Sequence, residues 1–167
     1  MTMIDTFAAT HIQALLDRAE ITDLVHRLGM CLDEARFDEL SALLVEDATL
    51  RSPGGGVEGI DAIVAQAARI HSAEDGILHT ITNLLIDVAG DAATARANLL
   101  VSFATPLDTD LPGQPPLVRS IQGQVYHFDL VRRDGGWRIS RLETVPVWKS
   151  GHRGCSCVTS CRTLLDR

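Results

Sequence analysis

Apolar residues recur at helical spacing over residues 11–32, where Ile12, Leu15, Leu16, Ala19, Leu24, Val25, Leu28, Cys31 and Leu32 make one stripe. Thr10 and Gln13 stand at the spacing of a capping box, which would start this helix by satisfying its first free N–H groups. A shorter helix is expected at 37–44, with Phe37, Leu40, Leu43 and Leu44 on one side. Residues 47–51 read as a short strand ending in the turn Pro53-Gly54-Gly55-Gly56. A third helix is expected over 60–71, carrying Ile60, Ile63, Val64, Ala67 and Ile70.

From residue 77 the period falls from 3.6 to two. Residues 77–88 and 93–103 read as strands turning at Gly90-Asp91, and 118–132 and 137–147 as two more joined by Asp134-Gly135-Gly136, a strong hairpin signal. The proline-rich stretch 106–116 between the pairs is a loop. Three helices followed by a four-strand meander predict an α+β fold with a curved, mainly antiparallel sheet. Helices laid over one face of such a sheet leave a pocket for a small molecule between the layers. Residues 1–151 are expected to form one domain, and 152–167 a cysteine-containing tail.

Composition narrows the function. The chain has 167 residues, 46% of them apolar, enough for one domain with a real core. Its net charge is −7, from 15 Lys+Arg against 22 Asp+Glu, the opposite of the balance that phosphate binding needs. No apolar run approaches the roughly 20 residues of a membrane helix. Neither a nucleic-acid nor a membrane partner is therefore expected. The N-terminus lacks the basic and apolar regions of a signal peptide, so a cytoplasmic address with reduced cysteines is the expectation. Cys155, Cys157 and Cys161 crowd the tail, but three thiols at that spacing fall short of a structural zinc set. Gly54-Gly55-Gly56 lacks the Lys-Ser/Thr of a phosphate loop, and no dinucleotide fingerprint is present. Neither a metal nor a cofactor is expected.

Two residues carry the candidate chemistry. His79 lies early in a strand among apolar neighbours, and alternation puts it on one face with Ile77, Ile81, Asn83 and Leu85. Its imidazole can exchange a proton near neutral pH. Asp33 closes the first helix, where the dipole disfavours an anion unless something nearby repays it. A helix packed across the sheet could bring Asp33 over His79, to hold the imidazole in one tautomer. Gln122, Gln124, Tyr126 and Phe128 share one strand face, and Arg96, Asn98 and Ser102 share a face of the neighbouring strand. Tyr126, Gln124, Asn98 and Ser102 are the expected donors to a ligand, with Phe37 and Trp148 helping to exclude water. His11, His26 and His152 read as solvent-facing, His127 points opposite to Tyr126, and His71 reads as a helix-end residue suited to the dipole.

The segments Glu20-Ile-Thr-Asp-Leu-Val-His-Arg27, Leu32-Asp33-x-x-Arg36-Phe37-Asp38-x-Leu40 and Leu44-Val-Glu-Asp47-Ala48 resemble the opening of SnoaL-like proteins of the NTF2-like superfamily. His79-x-x-x-Asn83, Leu130-Val-Arg132-x-x-Gly135-Gly136-Trp137-Arg-Ile139 and Val147-Trp148 are similar to later stretches, so the resemblance spans about residues 14–151. It implies a cone-shaped α+β barrel with a deep apolar pocket. Among family members, the dehydratases and a dehydrochlorinase use an Asp–His pair placed as Asp33 and His79 are here. Where the family often has tyrosines in the turn before that Asp, this chain has Leu28 and Leu32. The second acid or His that the dehydratases carry on the next strand is replaced by Asn98 and Ser102.

The expectation is a cofactor-independent lyase or isomerase of the dehydratase, isomerase or cyclase kind, acting on an apolar oxygenated small molecule. The alternatives are a non-catalytic ligand-binding or oxygenase accessory subunit, and an epoxide hydrolase. A homodimer or homotrimer is expected, from apolar side chains such as Leu78, Leu84, Ile86 and Val101 on the outer sheet face.

Overall fold

The computed structural model describes residues 3–71, 76–105 and 116–150. Residues 106–115 of the expected 106–116 loop, His152 and the three tail cysteines lie outside these residues. Helix α1 spans Met3–Asp33, and a 3-10 helix at Phe37–Ala42 follows. Strands β1 (Leu44–Ser52) and β2 (Gly55–Glu58) lead into helix α2 (Ile60–Ile70). Four long strands complete the chain: β3 (Ile77–Ala89), β4 (Ala92–Ala104), β5 (Val118–Arg133) and β6 (Gly136–Ser150).

The six strands form one sheet in the order β2-β1-β6-β5-β4-β3. Every neighbouring pair is antiparallel except β1 and β6, which run parallel. The α+β architecture and mainly antiparallel sheet are as the sequence predicts, though the sheet is open, with β2 and β3 at its edges. The glycine run does more than turn: Gly55, at φ 118°, reverses the chain and opens β2. Helix α1 also begins before Thr10, so the expected capping box is interior; the Gln13 amide instead donates to Asp17 Oδ1 at 2.9 Å. The second helix is a 3-10 turn ending at Ala42 rather than an α-helix; Leu43 caps it and Leu44 opens β1.

The core is aliphatic. Ile21, Val25, Leu28 and Leu32 of α1 join Leu40, Leu99, Leu130, Ile139 and Phe128 in one buried cluster. Burying each such side chain is worth about 1.5–3 kcal/mol. Helix α1 packs chiefly along β3. Midway along it Asp17 is buried, accepting hydrogen bonds from Arg132 Nη2 at 2.7 Å and Trp137 Nε1 at 3.3 Å. The Arg132 guanidinium lies 4.5 Å over the Trp137 ring, which joins the helix to the β5–β6 hairpin. No described helix is long and apolar enough to cross a membrane.

One irregularity changes which residues face inward. Thr82 pairs with Asn98 but Leu85 pairs with Arg96, so β3 carries one extra residue there, and Asn83 takes the left-handed φ of 52°. Such a bulge flips the alternation beyond it. His79 and Ile81 face the core as expected, but past the bulge Leu84 and Ile86 turn inward, while Leu85 is 62% exposed. Two of the four expected outer-face residues, Leu84 and Ile86, are therefore packed in the core. Val101 is a third, buried in the register of the inner face of β4, and Leu78 alone is exposed.

Candidate functional site

A cavity of about 320 Å³ lies between the helices and the inner face of the sheet. Leu28 and Leu32 of α1, Leu40, and Ile63 and Ala67 of α2 line its helical side, and Leu99, Val101 and Phe103 line part of the sheet side. Its size falls within the range of small-molecule sites and its walls are mostly apolar. Polar groups enter from β3, β5, β6 and the end of α2.

The Asp33 carboxylate and the His79 imidazole meet at the edge of this cavity. His79 Nδ1 lies 2.6 Å from Asp33 Oδ1. The backbone N–H of His79 also donates to both carboxylate oxygens, at 2.9 and 3.1 Å. The His79 side chain is 3% exposed and that of Asp33 16%. His79 lines the cavity, while Asp33 borders an open groove on the far side with His26, Met30 and Leu78. The pair thus forms the wall between cavity and groove. Two local features bring it together. Asp33 is the last residue of α1, so its side chain is free of the helix barrel and reaches over β3. Gly29, one turn earlier, is buried with β3 so close that an added Cβ would stand 3.2 Å from Ile81 Cδ1 and 3.8 Å from His79 Cβ. With Nδ1 donating to the carboxylate, Nε2 is the nitrogen that carries a lone pair.

Tyr126 is buried, lines the cavity and stacks edge-on against Phe128, with ring centroids 5.4 Å apart. Burial, with the Asp33 charge adding to it, pushes its phenol above the usual tyrosine range, so it remains a donor. Gln124 and Gln122 line the cavity beside it, joined by a Gln124 Nε2 to Gln122 Oε1 hydrogen bond of 3.1 Å. The face expected for Gln122, Gln124 and Tyr126 is the face observed, and His127 is exposed on the other.

Four expected contributors lie elsewhere. Asn98 and Ser102 do not line the cavity: Ala97, Leu99 and Val101 occupy the inner face of β4, and the polar residues between them point the other way. Phe37 packs against the core from the 3-10 helix without reaching the cavity. Trp148 pairs with Gly123 and is 50% exposed, its indole lying over the place where a side chain on Gly123 would stand. A register shift between Gly123 and Gln124 puts it out of phase with Thr144, which does line the cavity.

The structure adds residues that periodicity left out. Gln66 of α2 is buried and donates to Ser52 Oγ at 3.3 Å, and both line the cavity. His71, just past the end of α2, lines it too. Its Nδ1 bonds the Ala67 carbonyl at 3.1 Å, as a helix-end histidine should, but its ring centroid is only 5.3 Å from that of His79. Burial, and then the neighbouring His79, lower its pKa from the ordinary histidine value. Among the described residues no group of three or more His, Cys, Asp or Glu side chains could hold a metal ion. Cys31 is a buried thiol in the core, its pKa raised first by burial and then by Glu39.

Comparison with known proteins places the chain in a family and a fold. Residues 13–143 match the SnoaL-like domain. Terrestric acid biosynthesis cluster protein E of Penicillium crustosum is 28% identical over 141 residues, covering 83% of this chain and 88% of that protein. A crystal structure from Novosphingobium aromaticivorans, assigned as a scytalone dehydratase, superposes with a TM-score of 0.70 at 25% identity, over 83% of this chain and 89% of that one. An NTF2-like protein with a cystatin-like fold from the same organism gives a TM-score of 0.70 at 28% identity, over 85% of this chain and 89% of that one.

Proposed function

The chain belongs to the SnoaL-like family, and from that premise we propose that it is a cofactor-independent lyase or isomerase whose His79 takes a proton from an apolar, oxygenated small molecule. The observation that carries this reading is the 2.6 Å contact of His79 Nδ1 with Asp33 Oδ1 at the cavity wall. Asp33 fixes the tautomer, leaving Nε2 as the base, and its charge stabilises the imidazolium formed when Nε2 takes the proton. Removing a proton beside a carbonyl moves charge onto the carbonyl oxygen. The Tyr126 phenol and the amide N–H groups of Gln122 and Gln124 are among the cavity's donors to that oxygen. The leucine-lined helical wall suits an apolar body and keeps water from competing for these groups. Similarity to a protein assigned as a scytalone dehydratase supports elimination of water as one outcome of this first step.

The test uses 2-tetralone, an apolar ketone with acidic α-protons that fits the cavity dimensions. Proton NMR in D₂O follows its α-exchange with the wild type and with His79→Ala. Positioned acid–base groups contribute about 10²–10⁴-fold, so exchange catalysed by the wild type should fall by that factor in the variant. Equal exchange by both proteins, in a folded variant, overturns the reading and favours a non-catalytic pocket.

A further inference from the structure

His71 is a second imidazole in the same cavity, and the helix alone does not explain its placement. Its Nδ1 faces the Ala67 carbonyl at 3.1 Å, and a carbonyl only accepts, so Nδ1 carries the proton. In the neutral ring Nε2 is then a lone-pair acceptor. Nε2 has no hydrogen-bond partner among the described residues, although the ring lines the cavity. The ring lies beside that of His79, with centroids 5.3 Å apart and planes tilted by 39°.

We propose that His71 Nε2 accepts a hydrogen bond from a substrate hydroxyl, and that the substrate carries this hydroxyl close to the carbon that His79 deprotonates. The first half stands on the cavity alone; the second rests on the proposed role of His79. Both rings line the same part of the cavity, so each can meet a neighbouring group of one bound molecule at ordinary hydrogen-bond reach. A hydroxyl on the carbon next to an acidic C–H suits that arrangement, as in a β-hydroxy carbonyl compound. Elimination then balances without another reagent. His79 Nε2 takes the α-proton, the C–H pair becomes the C=C bond, and the C–O bond breaks. The departing oxygen takes the proton back from the His79 imidazolium and leaves as water. His71 stays neutral throughout and keeps the hydroxyl turned toward the reacting face. Desolvation of the ring, which favours its neutral form, agrees with this role.

The experiment compares binding of 2-naphthol and its methyl ether, 2-methoxynaphthalene, which differ in the hydroxyl donor. A neutral hydrogen bond is worth about 1 kcal/mol, so the wild type should bind the naphthol about fivefold more tightly. His71→Phe should bind the two equally, while His79→Ala should keep the preference. In wild-type protein, the ¹⁵N signal of the unprotonated His71 Nε2 should shift on adding 2-naphthol and not on adding the ether, which reads the contact without any variant. A preference that survives in His71→Phe, equal binding by the wild type, or no binding of either compound overturns the inference. These readouts involve no turnover, so they separate from the tetralone exchange that tests His79 as a base.

Discussion

The Asp33 carboxylate holds His79 at two points, accepting from its imidazole Nδ1 at 2.6 Å and from its backbone N–H at 2.9 Å. One residue at the end of α1 therefore both sets the imidazole and ties the helix to the start of β3. Charge and anchoring can be separated by substitution. Asp33→Asn keeps an oxygen that can accept but removes the negative charge that stabilises an imidazolium. Tetralone exchange should fall about 10²–10⁴-fold while the melting temperature changes little. Asp33→Ala removes both, leaving the partly buried His79 N–H without its acceptor, at a further cost of about 1–3 kcal/mol. Thermal melts of the two variants beside their exchange rates check this, and equal activity in wild type and Asp33→Asn would show that the charge is idle.

Gly29 controls how closely α1 approaches that strand. An added Cβ would meet Ile81 Cδ1 at 3.2 Å, a contact that a flexible methyl can relieve by moving a few tenths of an ångström. Gly29→Val cannot be accommodated so easily, because its branches also press on His79 Cβ, 3.8 Å from the new Cβ. Overpacking of this kind costs about 1–3 kcal/mol. It should also lift the last turn of the helix away from His79, lowering exchange by at least tenfold in protein that is still folded. Gly29→Ala, by contrast, should remain active, because the gain in helix propensity of about 1 kcal/mol offsets the mild crowding. Activity in Gly29→Val equal to wild type would show that the spacing is not critical.

How far the sequence reveals this site depends on whether periodicity runs unbroken to each residue. His79 and Ile81 precede the bulge at Asn83, so alternation places them correctly; Leu84, Leu85 and Ile86 follow it, and each falls on the face opposite to expectation. Tyr126 and Gln124 lie on a stretch of β5 whose partners on β4 are in continuous register, and their shared face is legible. Asn98 and Ser102 suit the pocket by chemistry, but their phase on β4 turns them away from it. The phase of Leu99 and Val101, both buried, gives the right answer. Trp148 is lost to a register shift at Pro146, where simple alternation along β6 breaks. His71 shows another limit: its hydrogen bond to the helix end is a local property and was legible, whereas its approach to His79 is a tertiary one.

Acid should expose the second anchor of α1, at Asp17. Burial alone would raise the pKa of this carboxyl, but hydrogen bonds from Arg132, Gln13 and Trp137, together with the Arg132 charge, outweigh it and hold the pKa below the ordinary 3.8. A carboxyl with a depressed native pKa binds fewer protons folded than unfolded. Its contribution to stability is therefore complete above the unfolded value near 3.8 and is lost as the pH falls through the lower, native value. Asp17→Asn lacks this titration. It should melt on the order of 5 °C below wild type at pH 6, since a hydrogen bond to a charged group is worth about 1.5–3 kcal/mol. That gap should stay constant down to about pH 4 and narrow only below it. Melting curves of both proteins between pH 6 and pH 2 measure the gap directly. A gap that widens toward low pH would mean that the native carboxyl is harder to ionise than the unfolded one, and that burial outweighs the Arg132 contact. A gap already closing at pH 5 would assign the acid sensitivity to a different group.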